Sequence, residues 1–548
     1  MKRLVTSAAL AGALALVVSS TVLADAPSPT RVSNGDPFAS CIGGGNTFGA
    51  INYQSAEVEP WIADNPANGA NLIGTWQQDR WSDGGAKGQV ASWSFDGGKT
   101  WGQTPQPFTT CAQPFYKTPV LNYQRTSDPW VSFGPDGTAY AVSLPFDGDF
   151  IRNGLGAAVS HDGGRTWVNQ KDIDPLIASP TTFNPTDDKQ SVTADPTRAG
   201  WAYVVWEQFH DVFVCTTPAR AAVRSGHDTP HRLTRAAATT PVACGFTAPT
   251  YFSRTTNGGK TWSKPRPIVP TGLDEQTIGN QIVVNSQNGT LYDFYDFINA
   301  AGQNNLEMVF STNHGATWSG RIHVQRMATN AETNACFCGV TYPGDPSKPL
   351  RVGDIIPEPA IDPNTGQLYV VWQDGRANPD PTATNDMLFA STSSEGGLAG
   401  TWSAPVRVNP PNDQAAFTAT IAVNDRGQVG LTYYDLTPPL TSPNILLTDV
   451  WFTTTKGPGL DFGSRTLVGG PFNMEAAPVA RGFFTGDYIG LAALTGAQEG
   501  DHQGQNGTGF VPLFVMTNCK NSSCTAVGTA DGTPAGPDST DAFTNPRT

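Results

Sequence analysis

The chain has 548 residues, of which only 15% are charged, and its formal net charge is -14 at pH 7. An acidic balance of this size excludes nucleic acid and anionic membrane surfaces as natural partners. The 58 glycines, 44 prolines and 14 tryptophans favour turn-rich β structure over helices.

The first 24 residues have the pattern of a secretory signal peptide. Two basic residues precede an apolar run over 8–18, and Val22-Leu23-Ala24 offers a small-residue cleavage site. The run is too short for a membrane span, and no later apolar stretch is long enough for one. We therefore expect a secreted, monomeric protein without a membrane span, whose mature chain begins near Asp25.

The cysteines are even in number, which in an exported chain favours disulfide bonds. They are Cys41, Cys111, Cys215, Cys244, Cys336, Cys338, Cys519 and Cys524. The pairs that we expect are Cys41–Cys111, Cys215–Cys244 and Cys519–Cys524. Cys336 and Cys338 are too close in sequence to bridge each other easily, so a partner elsewhere or a metal is the alternative.

A tryptophan turn, Ser94-Phe95-Asp96-Gly97-Gly98-Lys99-Thr100-Trp101, recurs along the chain. Further copies lie at 160–167, 255–262, 311–318 and, with a short insertion, 393–402. In this pattern Asp or Asn caps backbone N–H groups, Gly takes a positive φ, and Trp packs against a sheet. A turn repeated at intervals is typical of a repeat fold.

Each copy of the turn belongs to a longer unit that reads strand, turn, strand, loop, strand, tryptophan turn, strand. Short apolar or alternating runs between turn residues indicate strands, and four per unit is the make-up of a propeller blade. Counting a last copy at Asp487–Leu491 and Phe510–Met516 gives seven units. We expect an all-β fold, with a propeller domain over 25–524 and a flexible tail over 525–548.

The tryptophan turn resembles the Asp-box, or BNR repeat, of the sialidase (neuraminidase) superfamily. The resemblance implies a β-propeller of four-stranded antiparallel blades, which number six in known sialidases of this superfamily, so six is the alternative to the seven units counted. The Asp-box residues carry a structural role in this interpretation. They are Asp96, Trp101, Asp162, Trp167, Asn257, Trp262, Asn313, Trp318 and Trp402.

The order of the strands in a unit places these turns on the opposite face from the candidate functional residues. The turn that joins the third and fourth strands lies at the bottom and outside of a blade, whereas the ends of second strands and the starts of first strands meet at the top face. The top-face candidates are Asp79, Arg80, Asp374, Arg376, Glu59, Glu358 and Asp487. We expect them to form an acidic ring around the channel mouth.

Resemblance to sialidases also implies three arginines that bind the substrate carboxylate, a Tyr–Glu nucleophilic pair and an Asp acid. The sequence has no R-I-P motif to supply the first arginine. Arg80 and Arg376 are the candidates for two of the arginines, with Arg481 or Arg351 as the third. Tyr488 is the candidate nucleophile, with Glu358 or Glu59 as its base and Asp79 or Asp374 as the acid.

The sequence thus predicts an exported glycoside hydrolase of exo-α-sialidase type that acts on extracellular glycans. One alternative is a sialidase-fold hydrolase of a non-sialylated glycan, for which an acidic rim is less costly. Another is a non-catalytic carbohydrate-binding or adhesion propeller. The ring acids can also be structural, each satisfying strand-end N–H groups. No cofactor is expected, with structural calcium as an alternative because clustered carboxylates suit it.

Overall fold

The computed structural model describes most of the chain. The described ranges are 29–43, 49–178, 185–212, 245–328, 340–342, 345–376, 387–393, 396–410, 415–436, 446–494, 509–517 and 540–544. The expected signal peptide, 1–24, and the cysteines from Cys215 onwards lie outside these ranges. The fold is all-β, as predicted, with only two short 3₁₀ helices in the described residues, Thr110–Phe115 and Met474–Ala476.

The strands of the first two units follow a short first strand, β1, and pair antiparallel within each unit. They are β1 (Thr30–Arg31), β2 (Glu57–Asp64), β3 (Leu72–Arg80), β4 (Ala86–Ser94), β5 (Gly102–Pro105), β6 (Arg125–Phe133), β7 (Ala139–Phe146), β8 (Arg152–Asn153), β9 (Gly156–Ser160), β10 (Val168–Asp172) and β11 (Leu176–Ile177). The pairing runs β2-β3-β4-β5 and β6-β7-β9-β10, and the short strands β8 and β11 pair with each other at the end of β7.

The third and fourth units follow the same order. Their strands are β12 (Thr186–Ala194), β13 (Ala202–Val212), β14 (Gly245–Ala248), β15 (Thr250–Thr255), β16 (Arg266–Val269), β17 (Glu275–Val284), β18 (Leu291–Ile298), β19 (Asn304–Ser311) and β20 (Ile322–Arg326). The pairing is β12-β13-β15-β16 and β17-β18-β19-β20, and β14 links the two by pairing with β13 and β17.

The remaining units complete the series after a separate hairpin, β21-β22. The strands are β21 (Val340–Tyr342), β22 (Asp345–Leu350), β23 (Glu358–Ile361), β24 (Leu368–Asp374), β25 (Met387–Ser393), β26 (Val406–Arg407), β27 (Ala416–Val423), β28 (Val429–Leu436), β29 (Leu447–Thr454), β30 (Thr466–Asn473), β31 (Gly490–Ala493), β32 (Phe510–Thr517) and β33 (Thr540–Thr544). The sheets pair as β23-β24-β25-β26, β27-β28-β29-β30 and β31-β32-β33-β1.

The first strands of the units form a closed ring. Each lies against the first strand of the next unit, from β2 through β6, β12, β17, β23 and β27 to β31, and β31 lies against β2. The two ends of the chain share the last sheet, because β1 is the outer neighbour of β33. The expected flexible C-terminal tail, 525–548, therefore includes one strand of this sheet, β33. Pairing in the sheet satisfies the hydrogen-bonding groups of the β33 backbone.

Large side chains of the second strands fill the space between units. Trp76, Trp206 and Trp372 occupy equivalent places on β3, β13 and β24 and are at most 1% exposed. Each packs in a different apolar cluster, and these clusters lie between neighbouring sheets rather than in one central core. The burial of these indoles accounts for the Trp that recurs in the second strands of three units.

The expected disulfide between Cys41 and Cys111 is present, with its Cα atoms 5.6 Å apart. It fastens the segment after β1 to the first unit. Asn34 and Gln103 hold the same segment through reciprocal hydrogen bonds, from the Asn34 N–H to Gln103 Oε1 (2.8 Å) and from Gln103 Nε2 to the Asn34 carbonyl (3.0 Å). No helix among the described residues is long and apolar enough to cross a membrane.

Candidate functional site

A β-bulge recurs near the start of the inner strands. The bulges interrupt the pairing of β2, β6, β12, β17 and β27 with their neighbours at corresponding places. The residues that take a positive φ there, between 47° and 69°, are Glu59, Asp128, Lys189, Gly279 and Thr418. Four of them are not glycine, so the backbone is strained in order to redirect these side chains.

Lys189 forms ion pairs with three carboxylates from distant parts of the chain. Its Nζ lies 3.4 Å from Glu59 Oε1, 3.0 Å from Asp128 Oδ2 and 2.9 Å from Asp487 Oδ2. All four side chains are buried. We call these residues, together with Arg351, the Lys189 cluster. Two of the predicted ring acids, Glu59 and Asp487, are thus brought together at one cation.

A second cationic side chain, that of Arg351, binds Asp487. Arg351 donates from Nη2 to Asp487 Oδ2 at 2.6 Å and from Nε to Oδ1 at 3.1 Å, which is a two-pronged guanidinium–carboxylate pair. Burial of a carboxylate requires such compensation, because the desolvation cost of an isolated charge is large. Asp487 therefore forms ion pairs with both Lys189 and Arg351.

Tyr488 lies beside the same cluster. Its hydroxyl donates to the Pro129 carbonyl at 3.2 Å, and Lys189 Nζ is 6.0 Å from the centre of its ring. The ring meets Trp130 edge to face at 5.2 Å, and Trp130 in turn stacks on Trp61 with ring centres 3.6 Å apart. The candidate nucleophile is thus a buried member of an aromatic group, and Lys189 lies near both its ring and Glu59.

Glu358 occupies a separate, uncharged position. Its carboxyl group accepts hydrogen bonds from Gln281 Nε2 at 2.9 Å and from Thr420 Oγ1 at 3.4 Å, and the residue is 2% exposed. Burial raises the pKa of Glu358 to about 8. This carboxyl group is therefore mostly protonated at neutral pH.

The two candidate acids at the ends of second strands are ion-paired. Asp79 Oδ2 lies 2.9 Å from Lys87 Nζ. Asp374 accepts from Trp372 Nε1 at 2.9 Å and from Arg376, whose Nε is 2.8 Å from Oδ1 and whose Nη2 is 2.5 Å from Oδ2. Arg376 thus turns back on the carboxylate of its own strand.

Two of the candidate arginines lie near Phe484 in space, and a third lies just before it in the sequence. Arg80 and Arg351 place their guanidinium carbons 4.9 and 4.3 Å from the centre of the Phe484 ring. Arg80 also donates from Nη1 to Gln77 Oε1 at 2.7 Å. Arg481 takes a positive φ of 64° in the turn closed by the bond from Ala480 N–H to the Gly482 carbonyl. Arg376 belongs to a different unit.

The Asp-box turns lie between the third and fourth strands, as between β4 and β5. Asp96 Oδ1 accepts from the N–H groups of Lys99 and Thr100 at 3.0 and 2.9 Å, and Oδ2 accepts from Thr100 Oγ1 at 2.6 Å. Trp101 Nε1 donates to the Gly98 carbonyl at 3.0 Å. The corresponding residues Asp162, Asn257 and Asn313 each accept from a threonine N–H at 2.8–3.0 Å.

The glycines of these turns touch the preceding unit. A Cβ on Gly164, where φ is 98°, would lie 2.9 Å from Ile73, and one on Gly259 would lie 2.5 Å from Val159. The turn geometry and the close approach both require glycine. The Asp-box therefore joins neighbouring units.

An acidic pair that the sequence reasoning missed lies at the top face between the second and third units. Asp174 follows β10 and Asp187 begins β12. Gln208 Nε2 bridges them, donating to Asp174 Oδ2 at 2.9 Å and to Asp187 Oδ1 at 2.8 Å. Trp206 Nε1 also donates to Asp187 Oδ1, at 2.9 Å. The signal in the sequence was the run Asp187-Asp188 at a strand start.

Both members of the acidic pair resist ionisation. Burial, and then the charge of the nearby Asp172, raise the pKa of Asp174 to about 6, against the opposing hydrogen bond from Gln208. Burial and the neighbouring Asp174 raise the pKa of Asp187 well above its ordinary value. Asp172 itself accepts a hydrogen bond from the Tyr123 hydroxyl at 2.5 Å. Burial and the neighbouring carboxylate therefore favour the protonated form of Asp187.

A small cavity of about 30 Å³ opens beside this pair. Asp187 and Asp188 line it on the side of β12, and Ser127, Phe150 and Asn153 line it on the side of the second unit. Asp187 Oδ2 is buried and has no hydrogen-bond partner among the described residues. The cavity has room for a water-sized polar group that would satisfy this oxygen.

Within the described ranges, no group of three or more His, Cys, Asp or Glu side chains is placed to hold a metal ion. The calcium alternative thus finds no support in that part of the chain. Cys336 and Cys338, the other candidate for a metal, lie outside it.

No family model and no curated protein matches the sequence. Solved structures do resemble it at low identity. An α-L-arabinofuranosidase of Fusarium graminearum with arabinobiose is 15% identical (74% of this chain, 98% of that chain, TM-score 0.38), and a Penicillium chrysogenum α-L-arabinanase is 12% identical (77% and 93%, TM-score 0.41). A leech intramolecular trans-sialidase is 11% identical (85% and 90%, TM-score 0.37). At these values the likeness assigns no function to this chain.

Proposed function

We propose that the protein is an exported glycoside hydrolase, built as a single seven-bladed β-propeller whose top face carries the chemistry. The closed ring of first strands from β2 to β31 supports the propeller. The shared last sheet, with β1 beside β33, supports the count of seven. The disulfide and the N-terminal signal pattern support export.

The observation that carries the enzymatic proposal is that the buried carboxyl groups of the units are of two kinds. Asp487, Asp79 and Asp374 form ion pairs with cationic side chains. Glu358 and the acidic pair have raised pKa values and keep their protons to higher pH. Glycoside hydrolysis requires one carboxylic acid and one carboxylate at the same time, and environments that separate their pKa values supply both.

A neutral glycan fits the electrostatics better than a sialylated one. An anionic substrate needs guanidinium groups that are free to form two-pronged contacts. Arg376 and Arg351 already bind Asp374 and Asp487, and the chain carries a net charge of -14. In this proposal Arg80, Arg376, Arg481 and Glu59 shape the substrate site instead of clamping a carboxylate.

A sialidase remains the second candidate, because Arg80 and Arg351 converge on one ring, that of Phe484. In that case a substrate carboxylate would displace Asp487 from Arg351. Tyr488 would act as the nucleophile, with Glu59 as its base and Asp79 or Asp374 as the acid.

The two candidates differ in the substrate that they turn over. Residues 25–548 are incubated with fluorogenic glycosides of neutral sugars and with a fluorogenic sialoside. We expect release from a neutral glycoside, with no release from the sialoside and little change in Arg376→Ala. Release from the sialoside that Arg376→Ala abolishes would favour the sialidase. Glycan binding without any product would show a carbohydrate-binding propeller instead.

A further inference from the structure

The cavity between the second and third units contains one carboxyl oxygen that the rest of the protein leaves unsatisfied. Asp187 is 9% exposed, and its Oδ1 is fully used by Trp206 and Gln208. Its Oδ2 is buried without a hydrogen-bond partner in the described residues, and Asp187 lines the cavity. A buried polar atom in this position costs free energy unless a ligand or water satisfies it.

We propose that Asp187 is the proton donor of the hydrolase and that its Oδ2 delivers the proton into this cavity; this inference rests on the proposed glycosidase function. Asp174 and Gln208 are positioning residues. Gln208 fixes the carboxyl plane through Oδ1, which leaves Oδ2 to face the substrate.

The other carboxyl groups of the top face are less suited to this role. Hydrogen bonds from Gln281 and Thr420 reach both oxygens of Glu358. Asp374 and Asp487 are each bound by an arginine. A proton donor needs a carboxyl group whose protonated form is favoured and an oxygen that no other group of the protein occupies, and Asp187 has both features in the described residues.

The groups around Asp187 keep the proton in place before reaction. The charges of Asp174 and Asp172 raise the pKa of Asp187, Gln208 and Trp206 donate hydrogen bonds to its carboxyl group, and Asp174 and Asp187 in turn raise the pKa of Tyr251. Arg152, which lowers the pKa of Asp172, is itself bound to Asp147 at 2.6 Å. No cation is among the groups that shift the pKa of Asp187.

The step balances as an ordinary hydrolysis. Asp187 Oδ2 gives its proton to the glycosidic oxygen while the bond from that oxygen to the anomeric carbon breaks. The electron pair of the bond stays on the departing oxygen, which leaves as a neutral alcohol. A water molecule then adds to the anomeric carbon, and the proton that it loses returns to Asp187.

A leaving-group comparison tests this role. Phenyl and 2,4-dinitrophenyl glycosides of the neutral sugar that the wild-type protein cleaves are hydrolysed by wild type, Asp187→Asn and Asp461→Asn. Phenol needs protonation to leave, whereas dinitrophenolate does not. We expect Asp187→Asn to lose about 10²–10⁴-fold in kcat on the phenyl glycoside and less than about tenfold on the dinitrophenyl glycoside. Asp461, whose side chain is 77% exposed, is the matched control and should lose nothing.

A second variant guards against misfolding of the first. Asp174 raises the pKa of Asp187, so Asp174→Asn should move the basic limb of the pH dependence of kcat/KM to lower pH. Equal losses on both glycosides in folded Asp187→Asn, or an unmoved basic limb in Asp174→Asn, would overturn the assignment while the hydrolase stands. A wild-type protein that cleaves no glycoside would overturn both.

Discussion

Lys189 Nζ lies 2.9 Å from Asp487 Oδ2, although 298 positions separate the two residues in the sequence. The contact joins the first strand of the third unit to the segment just before the last inner strand, β31. Glu59 and Asp128 from the first two units meet the same ammonium group.

Loss of this ammonium group should strongly destabilise the ring. Lys189→Met leaves three buried carboxylates with one cation fewer, and breaking a buried ion pair from one side costs about 3–5 kcal/mol. The free energy of unfolding from denaturant titration measures the effect. Lys456→Met removes an exposed pair with Asp461 and should change it by less than about 1 kcal/mol. Equal effects of the two variants would contradict a stabilising role for the Lys189 cluster.

The stability of the protein should fall as pH rises from about 5 to about 8. The folded-state pKa of Glu358 is raised to about 8 by burial, so its proton stabilises the folded protein below the unfolded pKa near 4.5. That contribution is lost as pH rises through 8. Glu358→Gln should flatten the slope of unfolding free energy between pH 5 and 8 by at most about 1.4 kcal/mol per pH unit. Parallel curves for the variant and wild type would argue against a protonated Glu358.

The Asp-box aspartates should matter for stability alone. Asp96→Ala removes the acceptor for two backbone N–H groups and two hydroxyl groups, and we expect a loss of about 1–2 kcal/mol in unfolding free energy. Asp96→Asn should cost less than that, because Asn257 and Asn313 make the equivalent bonds in other units. A change in kcat of the folded Asp96→Asn variant would show that the turn contributes to the reaction.

Removal of the disulfide should weaken the closure of the ring. Cys41 and Cys111 are 70 positions apart, and the loss of a crosslink over such a loop costs about 4 kcal/mol when chain entropy dominates. The double variant Cys41→Ser, Cys111→Ser should therefore have a lower free energy of unfolding than wild type. Limited proteolysis should then cut the segment after β1 first, whereas unchanged resistance there would show that Asn34 and Gln103 suffice to hold it.

The sequence predicted the repeated turns and the strand starts because both follow from local chemistry. Asp96 and Gly98 specify a turn by themselves, and Glu59 and Asp487 lie at the start of recognisable inner strands. The partners of those acids were not predictable, since Lys189 and Arg351 reach them only after the ring has closed. The acidic pair was missed for the same reason. Gln208 bridges Asp174 to Asp187 only once β12 and β13 pair in their observed register.

The proposed function requires that residues 25–548 hydrolyse a glycosidic bond. The direct measurement is the release of fluorophore from a panel of neutral glycosides and a sialoside by the purified protein. We predict turnover of at least one neutral glycoside and none of the sialoside. Binding of glycans with no release from any member of the panel would contradict the central claim.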